Sequence, residues 1–418
     1  MSLLDTASLI LTPNGYKGGV TTGKLYSVKP TDASGDMDVV RATTATRVNS
    51  AGLIESVAIN VPRLDYTGGS CPSILLEPAR TNLVLYSEEF DNASWTKTNT
   101  TITANSSTSP DGTSTADILV ENSTSNVVFG VNALSRPSGL TLTTTYSVSF
   151  FAKKITRDFC YYNDFNGFQI PSVRVYFNLS TGLVGTSTLG VLNPKMENYG
   201  NGWYRCSFQF VATIGTQIDY RIASATTDNV STYTGVIGQQ AIAIWGAQFE
   251  TGSNATSYIP TTTATVTRNA DVISKTGVSS LIGQTEGTLF LDAKYLASAT
   301  SSGRWFKLFG VSNEIGLALN GVNSVRAIIN GLSDTITTSP KTDLGIKIAF
   351  AYNATGVVLF INGTQYALPL GGAQIMTSLD SIIFDAAVNP QFQQGEVNSF
   401  ILFKTRLTDP QLATLTAI

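Results

Sequence analysis

The sequence predicts an all-β protein, an irregular N-terminal arm followed by two antiparallel β-sandwiches. Three observations lead to this fold class. Of 418 residues, 42% are hydrophobic and only 13% are charged, about half the ~25% charge of average soluble domains. Thr, Ser, Asn and Gly take up the difference, which suits sheets with hydroxyl-rich outer faces better than helices that need Glu and Lys on exposed surface. Short apolar runs recur with period two between Gly, Asn and Pro turns, and Asn-Gly pairs at Asn320-Gly321, Asn330-Gly331 and Asn362-Gly363 are strong hairpin signals.

Residues 1–82 form the arm and a seam. The stretch around PTDASGDMDVVRATTATRVNSAG is polar and broken, and a segment of this kind seldom builds its own core. It is expected to attach or oligomerise the chain and to depend on other subunits for order. Gly69 and Pro72 then mark turns before the short apolar strand Ile74 to Leu76.

Residues 83–262 read as one sandwich, with a jelly roll as the natural closed form. Val173, Val175, Phe177 and Leu179 alternate with Arg174, Tyr176 and Asn178. Tyr204, Cys206, Phe208 and Phe210 alternate with Trp203, Arg205, Ser207 and Gln209, and the run Ala241 to Phe249 is apolar on both faces, as in a covered strand. Residues 263–418 hold a second sandwich, and Thr408-Asp409-Pro410 opens a short terminal helix.

Composition excludes several function classes. There is no histidine, which removes histidine triads, imidazole zinc sites and imidazole acid–base chemistry. A net charge of −3 gives no footprint for nucleic acid. No run of about eighteen apolar residues is present for a membrane span. The N-terminus lacks the charge and apolar pattern of a signal peptide. Cys71, Cys160 and Cys206 are odd in number and widely spaced, the pattern of reduced thiols. Glu88, Glu89, Asp91 and Asp117 are the nearest approach to a calcium set, without a binding-loop spacing. They are read as loop carboxylates, and no cofactor is expected. The paired carboxylates of a glycosidase and the motifs of nucleophilic or metal-dependent hydrolases are missing, so the chain is expected not to be an enzyme.

Sugar sites on β-sandwiches combine aromatic faces with amides and charged groups that bond hydroxyls. The candidates are Arg174, Tyr176, Trp203 and Arg205, which fall out of step with the apolar face, with Tyr161 and Asp164 of FCYYNDFNGF joining from nearby. Trp95 and Trp245 are read as core, and Trp305 and Tyr352 are weaker candidates in the second sandwich.

The residues also carry a resemblance. GKLYSVKPTDASGDMDVVRATTATRVNSAGLIE and the following PRLDYTGG and CPSILLEPARTNLVLYSEEFDNASWTK resemble the opening of a group of tailed-bacteriophage structural proteins. In that group the block leads into a carbohydrate-binding-module-like jelly roll. SPDGTSTADIL, YGNGWYRCSF and IWGAQFETGSNATSYIPTTTATVTRNAD fit the same group. YNATGVVLFINGTQY and FILFKTRLTDPQLATL are similar to concanavalin A-like, laminin-G-type domains. The resemblance implies a head or tail fibre or spike subunit of a virion, assembled in the bacterial cytoplasm. Such a subunit would be a homo-oligomer, with a trimer favoured, joined to other virion proteins through the arm and presenting sandwiches to host-surface glycans. The alternative is a purely architectural decoration protein that binds no sugar.

Overall fold

The computed structural model describes residues 2–15, 17, 20–67, 69–169, 171–295, 302–320, 324–330, 332–337, 345–368, 376, 378–385 and 395–418. Among the described residues the chain is all-β apart from two short 3-10 turns and one α-helix, Asp409–Thr416. In that helix Gln411 Oε1 accepts the Thr408 N–H at 2.9 Å, a reciprocal cap that the Thr408-Asp409-Pro410 signal announces.

Two compact units emerge, and their membership departs from the sequence boundaries. One comprises Met1–Ser50, Ser56–Ala79 and Asn269–Ile418, and the other Ala51–Glu55 and Arg80–Arg268. We call them the terminal unit and the inserted unit.

In the terminal unit, strands of the segment expected to form an irregular arm pair with strands from the C-terminal half. Leu9–Leu11 pairs with Gly395–Phe403, with Leu9 opposite Leu402. Ser73–Leu76 pairs with the same long strand, with Ile74 opposite Val397. Met37–Val40 pairs with Val272–Lys275. These strands of the first 79 residues therefore complete sheets with C-terminal strands of this same chain. The reason is that each short strand buries alternate apolar residues, Leu9 and Leu11 or Met37 and Val39, in a core it could not build alone. Among the described residues the unit holds an eight-stranded and a nine-stranded antiparallel sheet, with Leu291, Ile348, Phe350, Phe306, Leu317 and Phe400 in the core. Ile361 and Thr364 pair across Asn362 (φ 49°) and Gly363 (φ 80°), the two left-handed residues of a type I′ turn.

Four buried charged residues of this unit gather in one cluster. Asp271 accepts hydrogen bonds from Arg41 Nη1 (3.0 Å), Arg63 Nε (3.3 Å), Arg63 Nη2 and the Glu77 N–H (3.0 Å). Arg63 also reaches Glu77 Oε2 at 2.6 Å. Burial works against the Arg63 charge, but Asp271 and Glu77 together hold its pKa above the ordinary range.

The inserted unit is a sandwich of two six-stranded antiparallel sheets. In the first, the strand order is Trp95–Thr98, Phe129–Ala133, Arg221–Ala225, Phe159–Asn163, Arg174–Asn178, Leu183–Ser187. In the second it is Thr100–Ser107, Ala116–Glu121, Gln240–Thr251, Thr145–Lys154, Trp203–Val211, Leu192–Asn198. The alternating runs put Val175, Phe177, Cys206, Phe208 and Phe210 between the sheets, and Trp95 packs there against Phe90 and Tyr220. Arg80–Asn82 pairs with Val266–Arg268, so the unit enters and leaves on neighbouring strands.

Asp117 lies buried in this unit, accepting the N–H groups of Phe90 (2.8 Å) and Asn105 (2.9 Å). Burial pushes its carboxyl up to about 6 in spite of those two donors. A carboxyl with a folded pKa above its unfolded value of about 3.9 binds protons more readily when folded. Its ionisation therefore destabilises the fold as pH rises from about 4 through about 6. The unfolding free energy of this unit is expected to be about 1 kcal/mol greater at pH 5.0 than at pH 7.5. Urea unfolding followed by tryptophan fluorescence checks this, and Asp117→Asn should remove much of the difference; an unchanged slope in that variant would assign the effect elsewhere.

Candidate functional site

The strands of the first sheet alternate, so residues flanking the core positions Val131, Ile222, Tyr162 and Val175 stand on the outer face. Cross-strand register there assembles a polar row. Thr96 lies opposite Asn132, Asn132 opposite Arg221, and Asn163 opposite Arg174. The Tyr162–Ile222 pairing sets Asn163 beside Arg221. With strands about 4.8 Å apart, the two arginine backbones stand about 10 Å from each other with Asn163 between.

Two residues along the strands, a second row consists of Gly130, Ala223, Tyr161 and Tyr176. Gly130 is required at its position, because a Cβ would come within 2.7 Å of both the Ala223 Cβ and the Ile222 carbonyl. The Tyr161 and Tyr176 rings stack at 4.9 Å and are buried. Tyr161 donates to the Ser231 carbonyl at 3.1 Å, and Asp228 accepts from the Thr186 N–H and hydroxyl, both at 2.8 Å. These bonds hold the segment 226–232 against this end of the face.

Among the described residues three polar atoms of this face are buried without a hydrogen-bond partner: Asn132 Oδ1, Tyr176 Oη and Arg221 Nε. Buried polar groups in folded proteins are almost always satisfied by protein, water or ligand, and each unmet one costs about 1–3 kcal/mol. The Tyr176 hydroxyl sits near Ser231 and Arg174 but forms no well-aligned bond; burial, the larger effect, raises its pKa. Arg221 is stacked on Phe165, guanidinium carbon to ring centre 3.6 Å, and Phe165 itself is 38% exposed. Burial pulls the Arg221 pKa down. Arg174 Nε donates to Asn163 Oδ1 at 3.2 Å. Among the described residues neither Arg174 nor Arg221 has a carboxylate partner.

The six residues singled out from sequence do not converge. Arg174 and Tyr176 lie on this face, and Tyr161 supports Tyr176 with its ring faces already covered. Asp164 is buried and organises the loop that carries Phe165, accepting from the N–H groups of Gln169 (2.9 Å) and Asp219 (3.1 Å). Trp203 and Arg205 belong to the outer face of the other sheet. Trp203 is 1% exposed among Phe151, Trp245 and Tyr258, its indole N–H bonded to the Thr108 carbonyl at 2.8 Å, which leaves no face for a sugar ring. Arg205 is buried as well, donating to the Thr256 carbonyl (2.6 Å) and to Ser149 Oγ (3.0 Å). The period-two pattern placed both on an outer face, but it cannot say that a covering segment fills that face. Trp245 is buried in this outer cluster rather than between the sheets. In the terminal unit Tyr352 is buried and bonded to the Gly283 carbonyl, and the Trp305 side chain lies outside the described residues. Among the described residues no three carboxylates gather as a metal set, and Glu88 instead accepts from the Tyr258 hydroxyl at 3.0 Å.

Sequence reasoning missed Asn132, Asn163, Phe165 and Arg221. Arg221 was legible as the polar partner of Ile222 in the alternation Tyr220, Arg221, Ile222. Asn132 had no comparable signal, because its meaning comes from its register against Arg221.

A second feature lies on the outer face of the second sheet. A cavity of about 300 Å³ is lined by Leu53, Pro110, Lys153, Tyr199, Asn201 and Trp203 among others. Its rim includes Ser109, whose hydroxyl bonds Asp111, Thr113 and Thr115.

No protein-family model matches the chain, and no curated protein matches it. Distant similarity to solved β-sandwich structures is found. One is the receptor-binding domain of botulinum neurotoxin mosaic serotype C/D, at 14% identity and a TM-score of 0.30 over 34% of this chain and 39% of that one. Another is the CBM40 of the Ruminococcus gnavus IT-sialidase, bound to α2,3-sialyllactose, at 13% identity and a TM-score of 0.29 over 34% of this chain and 86% of that one. A third is the binding domain of botulinum neurotoxin DC in complex with rat synaptotagmin II, at 11% identity and a TM-score of 0.29 over 35% and 40%. The chain thus spans about two fifths of the toxin domains it matches.

Proposed function

We propose that this chain is a fibre or spike subunit of a virion, on head or tail, whose inserted unit binds a host-surface glycan on the outer face of its first sheet. One observation carries the glycan reading. Asn132 Oδ1, an acceptor, and Arg221 Nε, a donor, stand on paired positions of neighbouring strands, buried and bonded to nothing. A group that satisfies both must accept from one and donate to the other, and a hydroxyl does so. Phe165 at the rim adds an exposed aromatic surface of the kind that packs on sugar C–H groups.

The virion setting is supported by the resemblance of the first hundred residues and of the Trp245 to Asp271 block to tailed-phage structural proteins. On that reading assembly takes place in the bacterial cytoplasm. The terminal unit carries the contacts to other virion proteins, and homo-oligomerisation, with a trimer favoured, multiplies weak single sites into useful avidity. The role is binding rather than catalysis, because the sequence has no histidine and no matched carboxylate pair.

A specific observation favours the architectural alternative. Leu183, Leu189 and Leu192 are 65%, 90% and 40% exposed on and between the strands that end the two sheets, where a neighbouring subunit would cover them.

An array of bacterial surface glycans probed with the purified protein tests the proposal. Saturable binding is expected, and Phe165→Ala and Arg174→Ala should each weaken it about tenfold, about 1.4 kcal/mol. A well-folded protein that binds no glycan would leave the architectural role standing in its place.

A further inference from the structure

We infer that the saccharide held on this face is anionic. The inference rests on the glycan reading above and narrows its ligand class. The chemistry of the row is unbalanced. Arg174 and Arg221 bring guanidinium donors, of which only Arg174 Nε has a bonded acceptor on the face, Asn163 Oδ1. Against them stand the unpartnered Asn132 Oδ1 and the hydroxyls of Thr96 and Tyr176, which donate as well as accept. A neutral sugar brings donors and acceptors in similar number and leaves much of this donor surplus unmet, whereas a carboxylate or phosphate only accepts.

The charges agree with the count. The carboxylates nearest the row are engaged elsewhere. Asp164 takes the N–H groups of Gln169 and Asp219, Asp219 takes Arg136 Nε at 2.5 Å and the Asn166 N–H at 2.9 Å, and Asp228 takes Thr186. Neither guanidinium group thus has an ion-pair partner among the described residues, and the acidic group that favours the Arg221 charge, Asp219, is itself bonded to Arg136. The Phe165 ring under Arg221 fixes the guanidinium plane, which turns a flexible cation into an oriented fork suited to planar bidentate recognition. At about 10 Å backbone separation the two arginines stand far enough apart to flank one acidic ring rather than crowd a single oxygen.

Four probes test this: a hexuronic acid-containing capsular oligosaccharide, the same oligosaccharide after carboxyl reduction, and a glycan bearing a phosphomonoester before and after dephosphorylation. Titration calorimetry should show one acidic form binding at least tenfold more tightly than its neutral counterpart, with the advantage shrinking between 50 and 500 mM salt, as about 10 Å of screening at 0.1 M requires. Arg174→Gln with Arg221→Gln should erase that advantage, and Arg174→Lys should restore part of it. Which acid loses its advantage on neutralisation identifies the carboxylate or the phosphate as the group read. Equal binding of acidic and neutral forms, lost in Phe165→Ala, would keep the glycan site and overturn the anionic class. Acid-selective binding that survives both arginine changes and falls in Lys153→Ala would move the site to the cavity on the other sheet and overturn the assignment. Absence of binding to all four probes and to the wider array would sink the site reading as a whole.

Discussion

Asp271→Ala is expected to destabilise the terminal unit by about 3–5 kcal/mol, the usual cost of removing one partner from a buried ion cluster. The carboxylate accepts four hydrogen bonds, from Arg41, twice from Arg63 and from the Glu77 backbone, and its side chain is 3% exposed. Its loss leaves two buried guanidinium groups to share the single carboxylate of Glu77. Because Arg41, Arg63 and Glu77 come from the first 79 residues and Asp271 from far along the chain, the cluster fastens the N-terminal segment to the C-terminal sandwich within one unit. Hydrogen exchange should therefore show Leu9–Leu11 and Ser73–Leu76 opening first, and the melting temperature should fall on the order of 10 °C for a unit of this size. A variant that melts as the parent does, with protection in those strands intact, would show that the cluster contributes little beyond its own desolvation.

Trp203→Ala is expected to cost a comparable amount, about 3–5 kcal/mol, and to leave the intrinsic glycan affinity unchanged. The indole is buried in the cluster that holds Phe151, Trp245 and Tyr258 and lines the neighbouring cavity, so truncation enlarges that void. Unfolding midpoints measure the first effect, and calorimetry well below the midpoint measures the second. A stable variant with abolished binding would reverse the assignment of this tryptophan from packing to recognition. The contrast with Phe165 is deliberate: an exposed ring is removed there at little cost to stability, and the loss should appear in affinity alone.

These two residues show how far the sequence could be read. Trp203 and Arg205 were recognised as facing away from the core of the sandwich, and they do. Alternation along a strand has a period of two and reports which side a residue takes, but it carries no information about what covers that side. Here Leu53 and residues 108–110 come across the face from distant positions, and the aromatic surface that looked available is packed. Arg174 and Tyr176 were identified by the same alternation and do stand on the candidate face. Their partners Asn132 and Arg221 come from strands 42 and 47 residues removed from Arg174, and cross-strand register alone brings them together.

What the sequence determined by itself is what local chemistry controls. Low charge with abundant Thr and Gly sets the all-β class, and period-two runs set which side chains enter each core. Left-handed Asn362-Gly363 makes a hairpin, and Thr408 with Pro410 starts a helix. The tertiary structure alone decided three further things. It brought residues 1–50 and 56–79 into one unit with the C-terminal sandwich, it buried Arg41, Arg63, Glu77 and Asp271 together, and among the described residues it left two arginines of one sheet face without an ion-pair partner. The physical reason is the same in each case. Strand pairing and charge compensation act between residues far apart in the chain, so their outcome depends on register and coverage that only the folded chain establishes.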